Sequence, residues 1–409
     1  MSNSFGINRL SPSIDSVLLE WDLCDGLSVV NLFKNGKLIA TQKCDDNSCV
    51  FKNLDKDTEY SVFVENNGHK TETRRFVTGD YRGLVINYLH PQDDCFIESG
   101  HFLGSPYIVK FKNQLFVTMD IFDKGGIEHG HIITFLYVSK DNGESWHYIR
   151  TIKPAQWGRL FVCNNKLYFI ANNLLELGIL LWESDDGYNW SEPSFILPGL
   201  YKTSPTSALI YDDKFYICAT FVDNEGNHSA SVLIGDITNG LMNPKSWTIT
   251  NKYTPPFSLG GDQTMHYCEE GCVAEFNKNI FVLMRFAYKT ALMLKLEDSV
   301  LSLYKLVPLE CGWCKFVIDK IDDTYYAIGN NICYPRNVIN LYKSKNLEEW
   351  EFVKNIDDIS FIEDIEHNGI QYPCFIKEKD ELFILVRTAL NGADTFHNSN
   401  AIVFKKIKI

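Results

Sequence analysis

The chain has 409 residues, 45% of them hydrophobic, and 39 Lys and Arg against 52 Asp and Glu leave a formal charge of −13. That balance excludes a general nucleic-acid binder, which needs a positive stripe to displace counterions. No run approaches the roughly 20 apolar residues that cross a bilayer, and 12 cysteines in this length are too sparse for a disulfide scaffold. The opening segment Met1–Gly6 lacks the charged start and apolar core of a signal peptide, so a cytoplasmic protein with reduced, mostly buried thiols is expected.

Short alternating apolar segments at 17–21, 28–33, 38–40, 49–51, 58–64 and 72–77 are broken by turns at Asn35-Gly36 and Asp55–Asp57. This spacing predicts a β-sandwich over residues 1–80. The early Trp21 and the run from Asn53 to Tyr60 resemble a fibronectin type III domain. The resemblance implies that Tyr60 packs near Trp21, and it says little about function.

From residue 81 to 409 the chain repeats one form, an apolar strand, a polar turn and a second apolar strand. First strands begin near Pro106, Arg159, Ser207, Cys272, Lys315 and Gln371; second strands begin at Leu115, Leu167, Phe215, Ile280, Tyr325 and Leu382. With no amphipathic helix between them, these units predict an all-β fold, a six-bladed β-propeller following the sandwich, with five blades as the alternative count. The leftover strand at 83–88 is expected to complete the last blade and remove two exposed edges. Ser139–Trp146 fits the Asp box of sialidase-like propellers, and shortened forms stand at 184–190 and 344–350. In such a turn Asp141 accepts backbone N–H bonds, Gly143 supplies a positive φ, and Trp146 packs beneath the hairpin.

Three further segments resemble the catalytic landmarks of the sialidase superfamily. Glu270 to Phe276, followed by Ile280 to Arg285, looks like the strand pair that carries the activating Glu and a substrate-gripping Arg. Arg336 to Ser344 looks like the strand bearing the last arginine of the family's triad, and Gln371 to Phe375 like the strand of the tyrosine nucleophile, which is Tyr372 here. The departure is at the front, where Gly104 stands in place of the first arginine. The general acid falls near Glu128, with Asp120 and Asp123 as lesser candidates. Taken without this context, Tyr372 reads as a core aromatic and Glu270, beside Glu269, as part of a polar turn.

The chemistry suits this set. A carboxylate nucleophile would be repelled by the acid group beside the anomeric carbon of an anionic ketose, whereas a phenol activated by a base would not. Paired arginines grip a planar carboxylate in a bidentate way. The resemblance thus implies an exo-acting glycoside hydrolase releasing a terminal acidic sugar. Tyr372 would be the nucleophile, Glu270 its base and Glu128 the acid, and Arg285 and Arg336 would bind the substrate. His397, in the polar segment Phe396–Asn398, and His101, after Glu98, are candidate substrate contacts at the rim. A polysaccharide lyase and a non-catalytic glycan-binding propeller are the alternatives. The expected partner is an acidic glycan, with no cofactor, no nucleic acid and no membrane. His129 and His131 lack a third metal ligand, and Cys311 and Cys314 have redox spacing without a βαβ setting, so no metal is expected.

Overall fold

The computed structural model describes residues 5–93, 101–122, 133–223, 228–259 and 268–409. Among them the chain is all-β, and two three-residue turns of 3-10 helix, Pro244–Ser246 and Phe257–Leu259, are its helical elements. Ile7–Pro12, Val17–Trp21 and Ser48–Phe51 form one sheet. Lys37–Cys44, Ser28–Lys34, Glu59–Asn66 and His69–Lys70 form a second, to which Arg74–Val77 adds. Along Glu59–Asn66 the burial alternates, so Tyr60, Val62 and Val64 face inward with Trp21 and Phe76 in one apolar cluster. The Tyr60 hydroxyl accepts the Asp55 N–H at 2.9 Å, which satisfies the polar tip of a buried ring.

Six more antiparallel sheets follow, each of four or five strands. Their inner strands are Phe102–Phe111, Gln156–Cys163, the pair Tyr201–Lys202 and Leu209–Tyr211, Glu269–Phe276, Phe316–Ile321 and Gly369–Glu378. Leu84–Tyr88 is the outer strand of the sixth sheet, paired with Ala401–Lys408, as the sequence predicts. Each sheet is open, and side chains join one to the next. Phe116 of the first packs with Leu160 of the second, Phe161 with Phe215, Val232 with Val282, Leu283 with Phe316, and Ile328 with Ile384. Leu385 of the sixth then meets Val117 of the first. The inner strands enclose a cavity of about 180 Å³ that Tyr107, Arg159, Ser207, Val317, Asp319 and Cys374 help to line.

At the outer turn of the first sheet, the N–H of Gly143 donates to Ser139 Oγ at 2.7 Å, and Ser145 N–H donates to Asp141 Oδ1 at 2.9 Å. Gly143 has φ of 87°, and Trp146 lies edge-on to Phe404 with centroids 5.3 Å apart. Ser184, Asp186 and Gly187 repeat the arrangement, as do Ser344, Asn346 and Leu347. Burial alone would raise the Asp141 carboxyl, but the Ser145 hydroxyl and N–H outweigh it and hold it at about 2. At Asp186 the Asn189 N–H leads, with the same result of about 2. Both groups therefore contribute stability that is full above the ordinary value of 3.8 and is lost as pH falls towards 2. Replacing Asp141 and Asp186 by Asn is expected to flatten the acid limb of a melting-temperature-against-pH curve. An unchanged acid limb would remove these turns as its cause.

Candidate active site

The heads of the inner strands carry a repeated irregularity. The register shifts between Gly104 and Tyr107, between Gln156 and Arg159, between Glu269 and Cys272, and between Gln371 and Cys374. The residue in each bulge takes a left-handed backbone, Ser105 at 48°, Trp157 at 51°, Glu270 at 55° and Tyr372 at 50°. Bulky residues avoid that region, and bulges of this kind re-aim a side chain. The two residues that sequence reasoning picks as base and nucleophile thus occupy one structural position in the fourth and sixth sheets. The residue before each bulge lies opposite the end of the second strand, Glu269 opposite Arg285 and Gln371 opposite Arg387.

Tyr372 is half-buried, with three cations facing its ring: Arg336 at 5.1 Å, Arg387 at 5.3 Å and Lys315 at 5.4 Å from the centroid. Arg285 donates to Glu270 Oε2 at 2.9 Å and to the Trp313 carbonyl at 2.9 Å. Arg336 donates to the Cys333 carbonyl at 3.1 Å and to Gln371 Oε1 at 2.6 Å. Burial raises the Tyr372 phenol, Glu270 adds to the rise, and Arg336, Arg285 and Arg387 oppose it. The phenol therefore keeps its proton at neutral pH and needs a base to lose it.

His397 stands edge-on to Tyr372 with centroids 6.0 Å apart. Burial, then Arg387 and Arg336, push its imidazole down to about 2, so it is neutral and supplies no ammonium-like charge. His101 lies at the start of the first sheet, its N–H donating to the Phe122 carbonyl at 2.7 Å, one residue before the Phe102 ring that Arg387 faces. The Asp120 carboxylate accepts the Trp157 N–H at 2.7 Å and the Thr134 hydroxyl at 2.5 Å. Glu128 and Asp123, with His129 and His131, lie outside the described residues. So Tyr372, Glu270, Arg285, Arg336 and His397 come together, while His101 precedes the Phe102 ring that Arg387 faces.

Two members escape the sequence argument. Arg387 is 3% exposed and donates to the His397 carbonyl at 2.5 Å. Its guanidinium also faces Phe102 and Phe122, at 5.4 and 5.7 Å. A Cβ added at Gly104 would overlap the Phe122 ring and come within 3.1 Å of Arg387 Nη1. The space beside Gly104 is therefore filled by the Phe122 ring of its own sheet, with an arginine from another sheet next to it. A signal for it exists, because Ile280 to Arg285 and Leu382 to Arg387 share five apolar residues followed by Arg.

Lys315 is the second, 2% exposed with no hydrogen-bond partner for Nζ among the described residues. Burial lowers its ammonium below the ordinary 10.5, with Glu270 opposing. An unpaired buried cation is costly, so Lys315→Met is expected to stabilise the fold by about 1 kcal/mol or more. Below the folded value the cost is complete; between that value and 10.5 the unfolded chain binds the extra proton, so wild-type stability rises. The gain from Lys315→Met should therefore shrink with rising pH in that window. A gain that does not change with pH would assign it to packing.

Among solved structures, the chain is similar to the sialidase of Trypanosoma rangeli in its covalent complex with 2,3-difluorosialic acid. The TM-score is 0.55 at 14% identity, over 83% of this chain and 56% of that one. It is also similar to a Hadza microbial sialidase, with TM-score 0.56 at 12% identity over 97% and 93% of the two chains. This chain thus spans little more than half the length of the Trypanosoma enzyme and nearly all of the Hadza one. No family model and no curated protein sequence matches it. At such identities the likeness shows the fold alone, and that fold is sialidase-like.

Proposed function

We propose that the chain is an exo-acting glycoside hydrolase of the sialidase type, built as a six-bladed propeller behind an N-terminal sandwich of the fibronectin kind. The observation that carries this reading is the convergence of Arg336, Arg387 and the Arg285–Glu270 pair on Tyr372. In a chain of net charge −13, such a knot of cations is built for an anion, and planar guanidinium groups suit a carboxylate. Tyr372 Oη forms the bond to the anomeric carbon as the glycosidic bond breaks, and Glu270 accepts the phenolic proton. Glu128 is the proposed donor to the leaving oxygen. Water then displaces the tyrosine, passing its proton to the Glu128 carboxylate while the phenolate recovers a proton from Glu270, and two displacements retain the configuration.

The test is a screen of aryl glycosides of N-acetylneuraminic acid, its deaminated analogue and glucuronic acid, with product configuration read by proton NMR. Release of an acidic sugar of retained configuration is the expected result. An unsaturated, ultraviolet-absorbing product would replace hydrolysis by a lyase reaction. Binding of acidic glycans without turnover would make the chain a glycan-binding propeller.

A further inference from the structure

The arginine pair holds a sulfur atom. Arg285 Nη2 and Arg336 Nη2 each donate to Cys333 Sγ, both at 3.6 Å. The same two side chains grip the backbone beside two cysteines, Arg285 through the Trp313 carbonyl next to Cys314 and Arg336 through the carbonyl of Cys333 itself. Both cysteines are free thiols, Cys333 half-buried and Cys314 only 1% exposed. An accessible sulfur between two guanidinium groups, with a second thiol on the residue after the carbonyl that Arg285 holds, suits a reactive and a resolving cysteine.

We propose that Cys333 and Cys314 are a hydroperoxide-sensitive thiol pair, and that their oxidation state sets how tightly the arginines hold an anionic ligand. Two electrons leave the pair. The Cys333 thiolate attacks the distal oxygen of a hydroperoxide, the O–O bond breaks, and the alkoxide leaves as alcohol after taking a proton. The sulfenic acid at Cys333 is then attacked by the Cys314 sulfur, forming the disulfide and releasing water.

The acid–base chemistry agrees with the geometry. Cys314, then Arg336 and Arg285, hold the Cys333 thiol below its ordinary value against the effect of burial. Burial raises Cys163, Cys218, Cys268, Cys272 and Cys374 instead. While reduced, the Cys333 sulfur occupies one donor from each arginine. The disulfide sulfur is neutral and a weak acceptor, so oxidation frees both donors for a carboxylate. This second half rests on the acidic-sugar reading above; the thiol chemistry does not.

The experiment uses the full chain, reduced and then treated with hydrogen peroxide. At about pH 6, iodoacetamide should label Cys333 of the reduced protein well ahead of every other cysteine, as read by peptide mass spectrometry. Peroxide should remove about 2 Da and yield a peptide pair joined through Cys314 and Cys333. Labelling of Cys333 no faster than that of the buried thiols, or no such linked pair, overturns the proposal. Calorimetry with N-acetylneuraminic acid should show about tenfold tighter binding to the oxidised form. Cys333→Ser should make the affinity indifferent to peroxide. Equal affinity of the two forms overturns the coupling. No binding to either form overturns the sugar reading and the coupling with it, leaving the thiol chemistry to the mass measurement.

Discussion

Tyr372→Phe is expected to lower kcat on an acidic aryl glycoside by about 10³-fold or more, while ligand affinity and melting temperature stay close to those of the wild type. The substitution removes only the phenolic oxygen. The ring that faces Arg336, Arg387 and Lys315 remains, and with it the cation–π contacts that order the pocket. Burial and Glu270 hold the phenol protonated, so an oxygen that attacks must first pass its proton to a base. Glu270→Gln should therefore slow the same step. It also weakens the ion pair with Arg285, so its melting temperature must be reported beside its rate. Unchanged turnover in Tyr372→Phe would remove this tyrosine from the chemistry, whatever else the pocket binds.

Strand order was legible because repetition is a strong signal. Leu84–Tyr88 reads as a strand without a partner near it in sequence, and its pairing with Ala401–Lys408 follows from the cost of leaving two edges open. Tyr60 with Trp21, and the Gly143 turn, were legible for the same reason: each is a local pattern with one good packing solution. The bulges were not. Nothing in the segments around Glu270 and Tyr372 announces a left-handed backbone, since neither residue prefers it and only the sheet register demands it. Arg387 escaped because family resemblance directs attention to where an arginine is missing, at Gly104, rather than to where one has been added. Cys333 escaped because its significance depends on Arg285, 48 positions away, sharing its sulfur with Arg336. Long-range convergence of this kind depends on how separate sheets pack together and has no local signature.

Arg387→Met is expected to raise KM for an acidic glycoside by about 10- to 100-fold, the loss of one charge-assisted contact, while affinity for neutral sugars is unchanged. Arg285 alone is largely spent on Glu270 and the Trp313 carbonyl, and Arg336 on Gln371 and the Cys333 carbonyl, so a carboxylate needs a further donor. Arg387 is placed to supply it, fixed by the His397 carbonyl and by the stacked rings of Phe102 and Phe122. Arg387→Lys should not restore the wild-type KM, because a point charge replaces neither the planar fork nor its stacking. Restoring an arginine at position 104 should fail as well: its Cβ would overlap Phe122 and crowd Arg387, and even Gly104→Ala should cost about 1–3 kcal/mol of stability. If Arg387→Met instead weakens acidic and neutral sugars alike, the residue holds the His397 segment in place and the carboxylate grip belongs to Arg285 and Arg336. If it changes neither, the aromatic pair and Arg387 fill space left by the missing arginine without taking over its work.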